Sequence, residues 1–315
     1  MNLERYVKEI NKALDIYLTI KEPEGLYKAA RHLIRAGGKR IRPVLFLIVC
    51  EALGKDYRKV LPAAVSIEAI HNFTLIHDDI MDRDELRRGV PTVHKVFGEA
   101  TAILAGDTLF AEAFKFLTEC EVDARNTLKA VEKLSEVCIK ICEGQYFDMC
   151  FEEKSLVSEE EYIEMVKLKT GVLLAASASL PAILFGERKE VVDALWNFGI
   201  YCGIGFQIHD DTIDITSEET GKDRGSDILK GKKTLIVIRA FNQGVRLSTF
   251  GRQKASSEEL MEDLRKLEEC GAIEYAARKA KEFIEKGKES IKILPDTEAK
   301  DTLMKLADFF ISRRR

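Results

Sequence analysis

The chain has 315 residues, 46% of them hydrophobic and 32% charged, and 49 basic against 53 acidic residues leave a formal net charge of −4. That composition supplies a sizeable core and excludes disorder for most of the chain, and the acidic balance excludes the basic footprint of non-specific nucleic-acid binding. The longest purely apolar run, Val44 to Cys50, is far short of the roughly 20 residues of a membrane-spanning helix, so no span is expected. A charged start (Glu4, Arg5) argues against a secretory signal. Seven cysteines without framework spacing point to a reducing, cytoplasmic setting.

Apolar residues at three- and four-residue spacing predict helices over 3–20, 44–54, 59–82, 101–120, 125–151, 159–185, 189–214, 234–244, 257–269 and 272–291. No stretch reads as a strand. Ser158 and Ser257, each followed by glutamates, are expected helix caps. Breaks fall at Gly37-Gly38, at Arg88-Gly89-Val90-Pro91 and through a long polar loop from Ser217 to Lys233, and 242–257 reads as a plain surface connection. With no composition shift along the chain, one large all-α domain over 1–315 is the simplest organisation.

One seven-residue phrase occurs twice. Ile76-His77-Asp78-Asp79-Ile80-Met81-Asp82 returns 132 positions later as Ile208-His209-Asp210-Asp211-Thr212-Ile213-Asp214, each at the end of a strongly apolar helix. Residues four apart share a helix face, which sets Asp78 over Asp82 and Asp210 over Asp214. Clustered carboxylates repel one another unless a cation offsets them, and an all-oxygen set suits Mg²⁺, which keeps waters and binds substrate phosphates. One such cluster reads equally as a solvated helix end; two on apolar helices favour the metal. Cations accompany them: Gly37-Gly38-Lys39-Arg40-Ile41-Arg42-Pro43 feeds three into a helix start, Arg87-Arg88-Gly89 follows Asp82, and Lys169-Thr170, Lys222 and Lys232 stand singly. Beside acid clusters and turns, such cations serve to neutralise a diphosphate.

In this order the motifs GGKRIRP, DDIMD with RRG, KT, FQIHDDTID, GK and GKK resemble those of the trans-isoprenyl diphosphate synthases, or polyprenyl synthetases, and most of all the archaeal short-chain geranylgeranyl diphosphate synthases, from about Gly37 to Lys233. The resemblance implies an all-helical isoprenoid-synthase fold around a central apolar cavity. It implies about three Mg²⁺ per site with substrate bound, with Asp78, Asp79, Asp82, Asp210 and Asp214 as the metal set and Asp79, Asp211 and Asp214 as ligands or supports. Arg87, Lys169, Thr170, Gln207, Lys222 and Lys232 are implied to hold the allylic diphosphate, and Lys39, Arg42, His71 and Arg88 to hold isopentenyl diphosphate. Asp78, Asp79, Asp82, Arg87, Lys169, Asp210, Asp211 and Lys232 are the implied catalytic set.

The implied reaction is head-to-tail condensation by ionisation, attack and elimination, with no protein nucleophile, in a homodimer. Phe73, about 7.5 Å back along the helix from Asp78, matches with Thr74 the residues that floor the elongation cavity in similar enzymes, and implies a C20 product ahead of C15 or longer. A terpene cyclase would not need a second aspartate cluster or a second diphosphate site, and a metal phosphohydrolase using the His-Asp pairs would leave the cations of GGKRIRP and RRG unexplained. A non-catalytic partner subunit would be expected to lack one of the clusters. Cys138 and Cys142, one turn apart, read as core cysteines, as Trp196 reads as core. Arg313-Arg314-Arg315 reads as a solvated tail, although in similar enzymes a basic terminus can fold over bound diphosphate.

Overall fold

The structure is a computed structural model that describes residues 3–216 and 224–312. Among the described residues there are fifteen α-helices: α1 (Glu4–Tyr17), α2 (Glu24–Arg35), α3 (Ile41–Ala52), α4 (Leu61–Met81), α5 (Val93–Phe97), α6 (Glu99–Thr118), α7 (Ala124–Glu153), α8 (Glu159–Val166), α9 (Val172–Leu184), α10 (Lys189–Thr216), α11 (Ser226–Lys230), α12 (Leu235–Asn242), α13 (Ser257–Glu269), α14 (Ala272–Ser290) and α15 (Glu298–Ser312). The helical class is the expected one. Four helices were not foreseen from the sequence: α2, α5, α11 and α15. The predicted helix over 159–185 is interrupted by a π-turn at Lys167–Gly171.

One break holds strands that the sequence did not suggest. β1 (Leu86–Arg87) and β2 (Val90–Pro91) pair antiparallel, and the turn between them has positive φ at both Arg88 (53°) and Gly89 (76°), the backbone of a tight hairpin whose twist matches its strands. Two residues per strand are too few to show an alternating pattern. Ser158 caps α8 through a reciprocal box with Glu161. The cap of α13 is Ser256 rather than Ser257, again boxed with its Glu at the third helical position, Glu259.

The chain forms two compact units, neither of them one continuous stretch. The first comprises Met1–Cys138, Ala176–Asp193 and Leu294–Leu303. Its axis is α4, packed by α1, α3 and most extensively α6. α4 is apolar on all sides (Ala63, Val65, Ile67, Ile70 and Ile76 are fully buried), as a helix must be when neighbours surround it. Within that apolar length Glu68, Asn72 and Asp79 are buried too. Buried polar groups are tolerated only with partners or a purpose, so these three mark where the helix does more than pack.

The second unit comprises Ile139–Ala175, Ala194–Ile293 and Met304–Arg315, and so holds α10 from Ala194 on. Small residues let backbones meet there. A Cβ on Gly199 would lie 2.3 Å from the Ala175 Cα, and one on Gly203 would lie 2.6 Å from the Gly171 Cα. The two stretches long and apolar enough to cross a membrane, Glu159–Leu184 and Lys189–Thr216, are mostly buried inside the protein, as core helices are. All seven cysteines are free thiols, Cys138 buried and Cys142 exposed.

Candidate active site

The last turn of α4 carries the first aspartate cluster. Asp78 and Asp82 stand one turn apart, both half-buried, with Asp82 at the helix C-cap. Asp79 points the other way. It is fully buried, accepts a hydrogen bond from Arg87 Nε, and its Oδ2 meets no donor among the described residues. Burial lifts its pKa to about 6 against the opposing pull of Arg87. Arg87 also reaches Asp84 at 3.4 Å. The hairpin brings Arg87 to this carboxylate, and its base is pinned by Thr92 Oγ1 donating to the Asp84 carbonyl at 2.9 Å.

The neighbouring arginine of the same turn faces the glycine loop. Arg88 Nη1 donates to the carbonyls of Leu33 (2.9 Å) and Gly37 (2.5 Å), and a Cβ on Gly38 would lie 3.0 Å from its Cζ, so glycine there makes room for the guanidinium. Arg42 Nη1 lies 3.3 Å from His71 Nε2. Burial lowers the Arg42 pKa to about 10. Burial, then Arg42 and Arg88, hold the His71 imidazole well below its ordinary range. His71 is therefore neutral, accepting at Nε2 from Arg42 with its own proton on Nδ1. Of the four residues expected to bind isopentenyl diphosphate, the structure brings together Arg42, His71 and Arg88, and Lys39 is exposed on the adjoining loop. Two guanidiniums around a neutral imidazole make a site short of negative charge.

Phe73, half-buried, contacts the ring of His77 edge-on at 4.8 Å and that of Phe110 at 5.2 Å, and Phe110 meets Phe114 at 5.1 Å. Thr74 Oγ1 donates back to the His71 carbonyl at 2.8 Å. His77 lies 3.2 Å from the Ile103 carbonyl, in a space that a Cβ on Gly106 would fill, 2.3 Å from its Nε2. His77 thus packs between helices. Phe110 and Phe114, four apart on α6, were not singled out from the sequence, although that spacing was there to find them.

In the second unit, Asp210 and Asp214 are half-buried and Asp211 is buried. Asp211 accepts from the Tyr162 hydroxyl (2.5 Å) and from Gln207 Nε2 (2.9 Å), and the Gln207 Oε1 accepts from Thr170 Oγ1 at 3.1 Å. Burial, then Asp227, raises the Asp211 pKa to about 7. Both oxygens of Asp214 are engaged at the start of α11, one with Ser226 Oγ (2.8 Å) and one with the Asp227 N–H (3.1 Å). This places Asp214 as an anchor for the start of α11. Lys169 pairs with Asp148 at 2.7 Å, and Lys232 stands 4.0 Å from Asp227. Lys169, Thr170, Gln207, Asp211 and Lys232 line one cavity of about 110 Å³. Lys222 and Arg313-Arg314-Arg315 lie outside the described residues.

The π-turn explains how Lys169 and Thr170 reach that cavity. A π-turn inserts one residue into a helix and opens its backbone locally, a feature met often at functional sites. α7 supports it closely, for a Cβ on Gly144 would lie 2.4 Å from the Lys169 nitrogen. Tyr162, Asp148, Asp227 and Gly144 were not identified from the sequence. Tyr162 lies 49 positions from the carboxylate it serves, a separation that leaves no local signal.

The model of the polyprenyl synthetase family matches residues 23–268, and the chain belongs to that family. It is 56% identical over 307 residues, 97% of this chain and 96% of the other, to a geranylgeranyl pyrophosphate synthase of Geoglobus acetivorans. The solved structure of that name from the same archaeon superposes with a TM-score of 0.96 over 99% of each chain, at 55% identity. A geranylgeranyl diphosphate synthase of Methanosarcina mazei is 50% identical, covering 96% of this chain and 94% of its own. A geranylfarnesyl diphosphate synthase of Natronomonas pharaonis is 44% identical over 96% and 94%.

Proposed function

We propose that the protein is a Mg²⁺-dependent trans-prenyltransferase that condenses isopentenyl diphosphate with allylic diphosphates, with geranylgeranyl diphosphate (C20) as its main product. The observation that carries this reading is the same in each unit: an aspartate cluster ends a buried helix, and cations of that unit stand beside it, Arg87 on Asp79 in one and Lys169 and Lys232 around the cavity of Asp211 in the other. Family membership and full-length similarity to geranylgeranyl diphosphate synthases support it.

The donor set fits Mg²⁺. It offers carboxylate oxygens only, and among the described residues no three His, Cys, Asp or Glu side chains converge as a closed cage. An ion that keeps waters and takes substrate phosphates as ligands needs no such cage. Asp78, Asp82 and Asp210 would hold it, three ions per site with substrate bound, and Asp79, Asp211 and Asp214 would support them. Bound there, Mg²⁺ offsets the charge of a departing diphosphate.

The chain's own residues do the rest. Lys39, Arg42, His71 and Arg88 bind the diphosphate of isopentenyl diphosphate, and neutral His71 donates through Nδ1–H. Arg87, Lys169, Thr170, Gln207, Lys222 and Lys232 hold the allylic diphosphate and stabilise it as the C–O bond ionises. The double bond of isopentenyl diphosphate attacks the allylic cation, and a proton passes to the departed diphosphate as a double bond is restored. No side chain is required as a nucleophile. Phe73, backed by Phe110, limits how far the product grows. The whole chain, 1–315, acts as one catalytic domain in the cytoplasm, and the apolar side chains that α7 leaves exposed, Ile139, Tyr146, Phe147 and Met149, support a homodimer.

The test is product analysis with Mg²⁺, isopentenyl diphosphate and C5, C10 or C15 allylic diphosphates supplied separately. A dominant C20 product is expected, and Phe73→Ala should shift the main product above C20. A main product of C15 or of C25 and longer from the unaltered protein would remove Phe73 from its role, and the absence of any condensation would overturn the reading as a whole.

A further inference from the structure

Arg40, in the middle of the glycine-loop motif, does not face a substrate. It adopts the left-handed conformation (φ 50°, ψ 31°) at the N-cap of α3, a backbone state that a non-glycine residue holds only when its surroundings fix it. Four of its contacts do so. Nη1 donates to Glu68 Oε1 at 2.8 Å and to the Gly37 carbonyl at 3.4 Å, Nη2 to the Ile34 carbonyl at 2.6 Å, and Nε to Asn11 Oδ1 at 3.1 Å. The ion pair is shut away from water, with side-chain exposures of 4% for Arg40 and 2% for Glu68. Glu68 is held in turn by Asn72, whose Nδ2 donates to its Oε1 at 3.1 Å.

The position of this pair gives it a purpose beyond packing. Glu68 lies one helical turn before His71, and Arg40 lies between Lys39 and Arg42. The Gly37 carbonyl that Arg40 holds also accepts from Arg88. Lys39 and Arg42 therefore lie within two residues of Arg40, His71 lies three residues from Glu68, and Arg88 shares the Gly37 carbonyl with Arg40. Glu68 is also the buried carboxylate whose charge steadies both Arg42 and Arg88 in their cationic forms. A buried ion pair is a poor source of stability compared with apolar packing of the same volume, so its retention at this place needs another explanation.

We infer that Arg40 and Glu68 are positioning residues for the isopentenyl diphosphate subsite: their buried pair fixes the loop from Gly37 to Arg42 against α4, so that Lys39, Arg42, His71 and Arg88 present one preformed anion site. The inference rests on the proposed prenyltransferase reading, because it concerns which of two diphosphates is affected.

The experiment titrates each substrate separately at saturating levels of the other, for the unaltered protein, Arg40→Met, Glu68→Gln and the double variant Arg40→Met/Glu68→Met. In both single variants KM for isopentenyl diphosphate rises about tenfold or more, as small misplacements of binding groups do, and KM for the allylic substrate stays within about twofold. The apolar double variant regains thermal stability, as buried pairs replaced together do, but KM for isopentenyl diphosphate stays high. Equal changes in both KM values, no change in either, or recovery of KM along with stability in the double variant would each overturn the inference. If Arg40→Met fails to fold, Glu68→Gln, which keeps the side-chain shape, and the double variant decide it. If the unaltered protein condenses nothing, the functional reading fails. Calorimetric binding of isopentenyl diphosphate then tests positioning alone: weaker binding by the variants supports it, and unchanged binding overturns it.

Discussion

Asp79 and Asp211 occupy the same place in their two motifs, and burial has done the same to both. Each is the second aspartate, each turns from its neighbours into protein, and each has its pKa raised, to about 6 and about 7. A carboxyl whose folded pKa lies above its unfolded value contributes stability at low pH and loses that contribution as the pH rises through the folded pKa. In metal-free protein these two groups should therefore lower the melting temperature between about pH 4 and pH 7, the reverse of a salt-bridged carboxylate. Calorimetry in chelator across that range checks it, and Asp211→Asn should flatten the decline; a decline of unchanged slope would disprove its source. The aspartates and the cations beside them were legible because neighbours in sequence share a motif. Tyr162, Asp148 and Glu68 were not, because their partners are distant in sequence and a lone Tyr, Asp or Glu in a helix carries no mark of the group it will meet.

At the scale of elements, length decided what could be read. α4, α7 and α10 are long enough for their period to show. α5 and α11, five residues each, complete barely more than one turn. α2 and α15 did carry the spacing, Ala29, Ala30, Leu33 and Ile34 in one and Leu303, Leu306, Ala307 and Phe310 in the other, and were legible though unread. The π-turn was not legible, since Lys167–Gly171 has ordinary helical composition and the extra residue shows only when α7 and α10 are packed against it. Gly144 tests that packing. Glycine to alanine inside a helix usually stabilises by about 0.5–1 kcal/mol. At Gly144 the added methyl meets the Lys169 backbone, so Gly144→Ala should instead destabilise by about 1–3 kcal/mol, the range for overpacking, and lower kcat. Thermal melts and steady-state rates measure both; a raised melting temperature with unchanged kcat would show that the π-turn has slack.

For the whole molecule, the described residues provide carboxylates and cations in quantity but no closed metal cage. Stabilisation by ligands should then be cooperative between ion and anion. Mg²⁺ alone should move the melting temperature little, inorganic diphosphate alone little, and the two together strongly, equivalent to about 2.7 kcal/mol at a hundred times the dissociation constant. Thermal shifts under the four conditions check this, and a full shift with Mg²⁺ alone would mean that the protein completes the ion's ligands unaided. The helical class was legible from periodicity, whereas the division into two units was not, because each gathers three separate stretches of chain and no change of composition accompanies the transitions.

The π-turn also makes one kind of inherited change far more severe than another. A substitution between Lys167 and Gly171 alters a single side chain. Losing one residue there would restore an unbroken α-helix: the wider turn is what absorbs the extra residue, so the flanking segments would keep their bearing while the opened backbone at Lys169 and Thr170 closed. Gly171 and Ala175 would still face Gly203 and Gly199, but Thr170 would leave Gln207 and Lys169 would leave its cavity, all through one missing codon. Lineages of this chain can vary this stretch letter by letter, but they are bound to keep its count.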